Sequence, residues 1–120
     1  MPRIAFTVPI LPGKQSEIVR VLKKHKLDLD VAHKAVGVTQ WLKYVCGDDY
    51  FELIDWTTKP LATLLNEYMA RPELEEFLKE IVPCLILPAI PAGSNVGEVF
   101  AAFVESRSFD QAYALVGPPA

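Results

Sequence analysis

The segment 38–56, VTQWLKYVCGDDYFELIDW, constrains this chain more than any other. Two runs rich in aromatic and β-branched residues flank the polar turn GDD, and such side chains fit the pleated, half-buried surface of a strand. A turn this short joins only antiparallel neighbours, so the segment is committed to a hairpin. Its register is the open question. A two-residue Gly47-Asp48 loop sets Lys43 opposite Glu52, whereas a three-residue loop sets Tyr44 there. The first is preferred, because it gives a carboxylate inside an apolar strand a cation to pair with.

On either side of the hairpin the apolar spacing changes. Residues 3–9, RIAFTVP, alternate as a first strand that Pro12 and Gly13 end. Ile18, Leu22, Leu29, Ala32 and Val36 then recur at helical spacing across 15–36, with Gln15 and Ser16 as capping candidates and Gly37 as the left-handed stop. Past the hairpin, Thr58 and Pro60 open a second helix with Leu61, Leu64, Leu65 and Tyr68 on one stripe, and Pro72 opens a third with Leu74, Phe77, Leu78 and Ile81. The proline-punctuated PCLILPAIPAGSN reads as an extended connector. VGEVFAAFVES reads as a last strand, and residues 106–120 as a C-terminal arm with a frayed GPPA tip, leaving 1–105 as the domain.

Strand, helix, two strands, helices, strand is the split β-α-β order of an α+β, ferredoxin-like fold. It predicts a four-stranded antiparallel sheet with helices on one face. The last segment is apolar on both faces, with Val96, Phe100, Ala102 and Val104 on one and Val99, Ala101 and Phe103 on the other. Helices shield only one side of such a sheet, so a second copy of the chain is the expected cover for the other, giving a homodimer; the arm folding back is the alternative.

The chain's 120 residues suffice for one domain with a real core. Twelve basic against fifteen acidic residues give a net charge of -3, which offers no footprint for nucleic acid or an anionic membrane. No apolar run approaches the roughly 20 residues that span a bilayer, and the start lacks the basic-then-apolar pattern of a signal peptide, so a cytoplasmic protein is expected. Cys46 and Cys84 have no CxxC spacing and read as free thiols.

The opening strand followed by LPGK and a helix, the aromatic hairpin, the segment ARPELEEFL and the apolar closing stretch together resemble the dimeric α+β barrel superfamily of antibiotic-biosynthesis monooxygenase-like proteins. The resemblance covers about positions 3 to 105. It implies a homodimer whose sheets face each other, with a ligand pocket in each subunit between helices and sheet. The superfamily includes cofactor-free monooxygenases, cyclases, isomerases and haem-degrading enzymes, and no motif here singles out one of them.

Among individual residues, His25 fills the gap in the first helical stripe, where it either faces the pocket as a general base or packs in the core with a nitrogen bonded to a carbonyl or to Asp28. His33 has Asp30 one turn earlier, a pair that orients an imidazole and is also common on solvated helix faces. The two histidines are eight positions apart, about 12 Å along a helix, too far to share an ion, and no metal site is expected. Trp41, Tyr44, Tyr50, Trp56 and Tyr68 are rings with polar handles, suited to a cavity for a flat ligand and equally to a core. Glu52 and Asp55 are carboxylates in an apolar strand; Lys43 is the partner expected for Glu52 and an exposed edge the explanation for Asp55. No phosphate-binding glycine motif or serine elbow occurs.

The resemblance implies an enzyme without cofactor, expected to act on an aromatic or polyketide-like small molecule as a cyclase, isomerase or monooxygenase, and these residues supply its candidates. His25 and Tyr44 are its catalytic candidates, and Trp41, Trp56, Tyr68, Glu52 and His33 its substrate-binding candidates. The alternative is a non-catalytic dimeric ligand-binding or structural module.

Overall fold

Alternation over residues 3–9 and the paired runs of the hairpin produce three strands, β1 (Arg3–Pro9), β2 (Val38–Cys46) and β3 (Asp49–Trp56), in the order β1-β3-β2 with both pairings antiparallel. The computed structural model describes residues 2–110. Lys43 stands opposite Glu52 and Cys46 opposite Asp49, the two-residue-loop register. Because side chains alternate across a strand, Phe6, Val8, Trp41, Lys43, Tyr50, Glu52 and Ile54 share one face, and Ala5, Thr7, Leu42, Tyr44, Phe51 and Leu53 share the other.

The first face is covered by helices. The apolar spacing over 15–36 yields two of them instead of one, α1 (Gln15–Lys24) and α2 (Lys26–Ala35), because the backbone leaves helical geometry at His25. The expected side-chain cap at Gln15 or Ser16 does not form: Lys14 is the N-cap, and Gln15 donates instead to the carbonyl of Gly47 in the hairpin turn, at 3.2 Å. Gly37 takes the left-handed conformation (φ +83°) that ends α2. Next come α3 (Leu61–Met69), whose Leu61, Leu64, Leu65 and Tyr68 are all buried, and α4 (Glu75–Ile81), reached through a 3-10 turn that Pro72 opens. Fully buried Ile18, Leu64 and Ile54 tie α1, α3 and β3 into one core, each worth about 2 kcal/mol in area removed from water.

The expected last strand is a helix, α5 (Val96–Ser106), so the described sheet has three strands and not four. Two local features decide this. Asn95 caps the helix, its side-chain oxygen accepting from the backbone N–H of Glu98 at 3.0 Å. Gly97 lets α5 settle directly on α3, where a Cβ would lie 2.2 Å from the carbonyl oxygen of Ala62. Apolar residues all round the segment, read as two faces of a strand, belong to a helix with α3 on one side and the sheet on the other.

After α5 the chain returns to the free edge of β1: Ser108 bridges Phe6, and the N–H of Phe109 donates to the carbonyl of Ala5 at 2.8 Å. That edge is where a fourth ferredoxin-like strand pairs, in the order 4-1-3-2. The GPPA tip expected to fray lies outside the described residues. Asp55 is not excused by an exposed edge; it is buried and takes both guanidinium bonds of Arg3, at 2.6 and 2.8 Å. Among the described residues, no helix is long and apolar enough to cross a membrane.

Candidate functional site

The hairpin register puts a buried charge pair on the helix-covered face. Lys43 and Glu52 are direct cross-strand neighbours, and Trp41 lies two residues from Lys43 on the same side. Lys43 Nζ donates to Glu52 Oε1 at 2.7 Å, and Trp41 Nε1 donates to the same oxygen at 2.8 Å. Neither bond uses Oε2, which receives no donor among the described residues. Both charged side chains are about nine-tenths buried, at 10% and 11% exposure. Burial pushes the Lys43 pKa down, with the Glu52 carboxylate opposing the shift, and the ammonium also sits 4.1 Å from the centre of the Trp41 ring.

This pair floors a cavity of about 120 Å³ between the sheet and α3, α4 and α5. Its walls are apolar, with Leu65 from α3, Phe77 from α4, and Phe100 and Phe103 from α5. Val82, an exposed residue just past α4, marks the side on which it approaches solvent. Tyr50 and Tyr68 also line it, and the hydroxyl of each is buried without a hydrogen-bond partner. Tyr50 leans toward Glu52 without closing a bond of ordinary geometry. Burial first, and the Glu52 charge second, raise both phenols well above the usual range, so each stays a neutral donor at physiological pH.

His33 stands behind this floor. Its ring stacks on Trp41 at 4.6 Å and on Tyr68 at 5.6 Å, and its Nε2 is buried without a partner. Burial, reinforced by the Lys43 charge and opposed by Asp30, lowers its pKa to about 3, so the imidazole is neutral. It borders a separate polar recess with Thr39 and Gln40 rather than the cavity.

The other expected site residues lie elsewhere. His25 does not reach the cavity: at the break between α1 and α2 its ring meets Phe77 edge-on at 5.8 Å, its Nε2 lies 3.2 Å from Glu80 and its Nδ1 3.8 Å from Asp28. The ring packs against α4, and its hydrogen-bond partner is Glu80 of that helix, not the carbonyl or Asp28 expected for a packed histidine. Tyr44 is on the opposite face of the sheet, 52% exposed and beside Phe51. Trp56 is buried at the end of β3, where its Nε1 donates to the carbonyl of Lys59 at 2.6 Å. Glu52, Trp41 and Tyr68 are thus brought together, with His33 adjacent. Lys43 and Tyr50 complete the set; both follow from counting the alternation outward from Glu52 once the register is chosen.

No family model matches the chain, and no curated protein matches it in sequence. Solved structures do. Tetracenomycin F2 cyclase from Streptomyces glaucescens, described as a type-II polyketide cyclase, aligns over 98% of this chain and 100% of its own, with a TM-score of 0.59 at 14% identity. A protein assigned provisionally as an antibiotic biosynthesis monooxygenase, from Bordetella bronchiseptica, covers 72% of this chain and 86% of its own, with a TM-score of 0.54 at 13% identity. An uncharacterised NIPSNAP domain protein from Burkholderia xenovorans covers 78% and 100%, with a TM-score of 0.51 at 17% identity. Likeness at such identities shows the fold alone: an antiparallel sheet carrying helices.

Proposed function

We propose that this chain of dimeric α+β barrel fold is an enzyme that moves protons on an aromatic or polyketide-like small molecule, in a cyclisation or isomerisation. The observation that carries the reading is the free Oε2 of Glu52, buried at the floor of an apolar cavity beside two unpartnered tyrosine hydroxyls. A carboxylate oxygen with spare accepting capacity in such a place is a general base, and neutral hydroxyls beside it are donors for a developing oxyanion. The likeness to a polyketide cyclase along nearly the whole chain supports the choice of reaction.

In this scheme Glu52 Oε2 takes a proton from a carbon next to a carbonyl, and Tyr50 and Tyr68 donate to the enolate oxygen. The enolate carbon then adds to a second carbonyl, and the alkoxide so formed takes the proton back from Glu52; loss of water completes a ring closure. In an isomerisation the proton returns to a different carbon. Lys43 and Trp41 hold Oε1 and so aim Oε2, and the Lys43 charge balances the carboxylate. Each step balances without a cofactor. The general-base role considered for His25 falls in this scheme to Glu52, and the positioning of a substrate oxygen considered for Tyr44 and Tyr68 falls to Tyr50 and Tyr68.

The test is solvent deuterium exchange into the methyl group of single-ring ketones such as 3-hydroxyacetophenone, followed by proton NMR. Exchange is expected to outrun buffer with the native protein and to fall to the buffer rate with Glu52→Gln. A native rate equal to buffer across the ketones would discard the catalytic role. The second reading, a non-catalytic ligand-binding module, draws on the cavity's modest volume and would then stand. Either reading carries with it the proposal of a twin subunit on the uncovered face of the sheet.

A further inference from the structure

We infer that the cavity takes one uncharged six-membered ring bearing an oxygen, a phenol or a cyclic enol, seated oxygen-first. This rests on the reading of the cavity as a substrate site and narrows the class of molecule it accepts. Three observations converge on it. The first is size. A cavity of about 120 Å³ is comparable with the roughly 150 Å³ that accommodates benzene in an engineered protein core, so one ring fits and a fused pair does not.

The second is the placing of polarity. Tyr50 and Tyr68 line the cavity and are only 3% and 6% exposed, and the hydroxyl of each is buried without a partner, although buried polar groups in folded proteins are almost always bonded. Each can give a proton and accept one, so the complement is a hydroxyl or enol oxygen, which does both. The walls of Leu65, Phe77, Phe100 and Phe103 offer no polar side chain, so the rest of the ring is bare carbon. The third is charge. Lys43 and Glu52 neutralise each other at 2.7 Å, so a carboxylated or cationic ring would bring a charge with no counter-charge into a dry site.

The experiment is a binding titration of the full chain, read by tryptophan fluorescence from Trp41 at the cavity wall and by NMR shifts, with phenol, toluene, benzoate and 2-naphthol as probes. Phenol is expected to bind, benzoate not to, and 2-naphthol to bind about tenfold more weakly than phenol despite its larger apolar area, because a filled core resists overpacking. Tyr50→Phe and Tyr68→Phe should each weaken phenol about fivefold, the worth of one hydrogen bond, while leaving toluene unchanged. Toluene binding doubles as the check that each variant is folded. Phenol affinity indifferent to both tyrosines, or 2-naphthol binding as tightly as phenol, would overturn the inference. Failure of the catalytic scheme is separable: it leaves deuterium exchange at the buffer rate with phenol binding intact, whereas failure of the ring-class inference leaves exchange intact and phenol unselected.

Discussion

His33 is a group whose protonation the folded state resists. Its pKa falls from an ordinary 6.5 to about 3 because the ring is buried in a cluster with Trp41 and Tyr68 and faces the Lys43 charge. Between those values the unfolded chain binds a proton that the folded chain refuses, so stability is full above pH 6.5 and is lost as pH falls toward 3. The limit is about 1.4 kcal/mol per pH unit, and partial exposure of the ring reduces it to about 1–2 kcal/mol between pH 6.5 and 4.5. Urea midpoints at those two pH values should therefore fall more for the native protein than for His33→Phe, which keeps the stack and cannot protonate. Equal falls would mean that the ring is freely solvated. Glu52, Trp41 and Tyr68 were legible in the sequence because a carboxylate inside an apolar strand and rings with polar handles both demand an explanation. The place of His25 was not, since helical spacing shows that a residue faces inward and not which neighbour it meets: here Phe77 and Glu80 of α4, far away along the chain.

At the level of elements, the contact of α5 with α3 depends on one missing methyl group. A Cβ at Gly97 would lie 2.2 Å from the carbonyl oxygen of Ala62 and 2.5 Å from Cγ of Asn66; the first is backbone and cannot swing aside. Asn66 is also engaged, accepting from the N–H of Gly97 at 2.7 Å and donating to Asn95 at 2.8 Å. Gly97→Ala gains about 1 kcal/mol of helix propensity but forces the two helices apart, at about 3 kcal/mol, for a net loss of about 2 kcal/mol. A clear drop in thermal midpoint is expected, together with weakened phenol binding, because Phe100 and Phe103 ride on the same helix; an unchanged midpoint would show that the helices part freely. The same contact explains why this element was misread. Gly and β-branched residues weigh against a helix in isolation, and what overrides them is Asn95 as a cap and α3 as a close neighbour. Short-range signals sufficed for the hairpin, whose register rests on two facing side chains, and for α3, whose stripe is regular. The order of strands was recoverable because the hairpin and first strand are local. The return of the chain to β1 at Ser108 and Phe109 depends on where α5 ends, which no short window of sequence states.

For the whole molecule, the question is what covers the second face of the sheet. Ala5, Leu42, Phe51 and Leu53 form its centre, Tyr44 is 52% exposed, and Phe109, also beside Phe51, is 57% exposed. A face of this composition open to water suits a docking surface, and the twin subunit proposed for it, related by a two-fold axis, would cover it self-complementarily. Leu53 is the decisive position, since it points outward from the central strand between Ala5 and Leu42. Leu53→Glu would place a carboxylate there in each copy, so symmetry doubles a burial cost that is several kcal/mol for one unpaired charge. Sedimentation equilibrium is expected to give twice the chain mass for the native protein and the chain mass for Leu53→Glu. The cavity lies on the side of the sheet away from Leu53, so the monomeric variant should still bind phenol, with affinity close to native. Loss of binding on dissociation would instead mean that the sheet needs its twin to hold Lys43 and Glu52 in register, and a native protein sedimenting as a monomer would remove the twin subunit altogether.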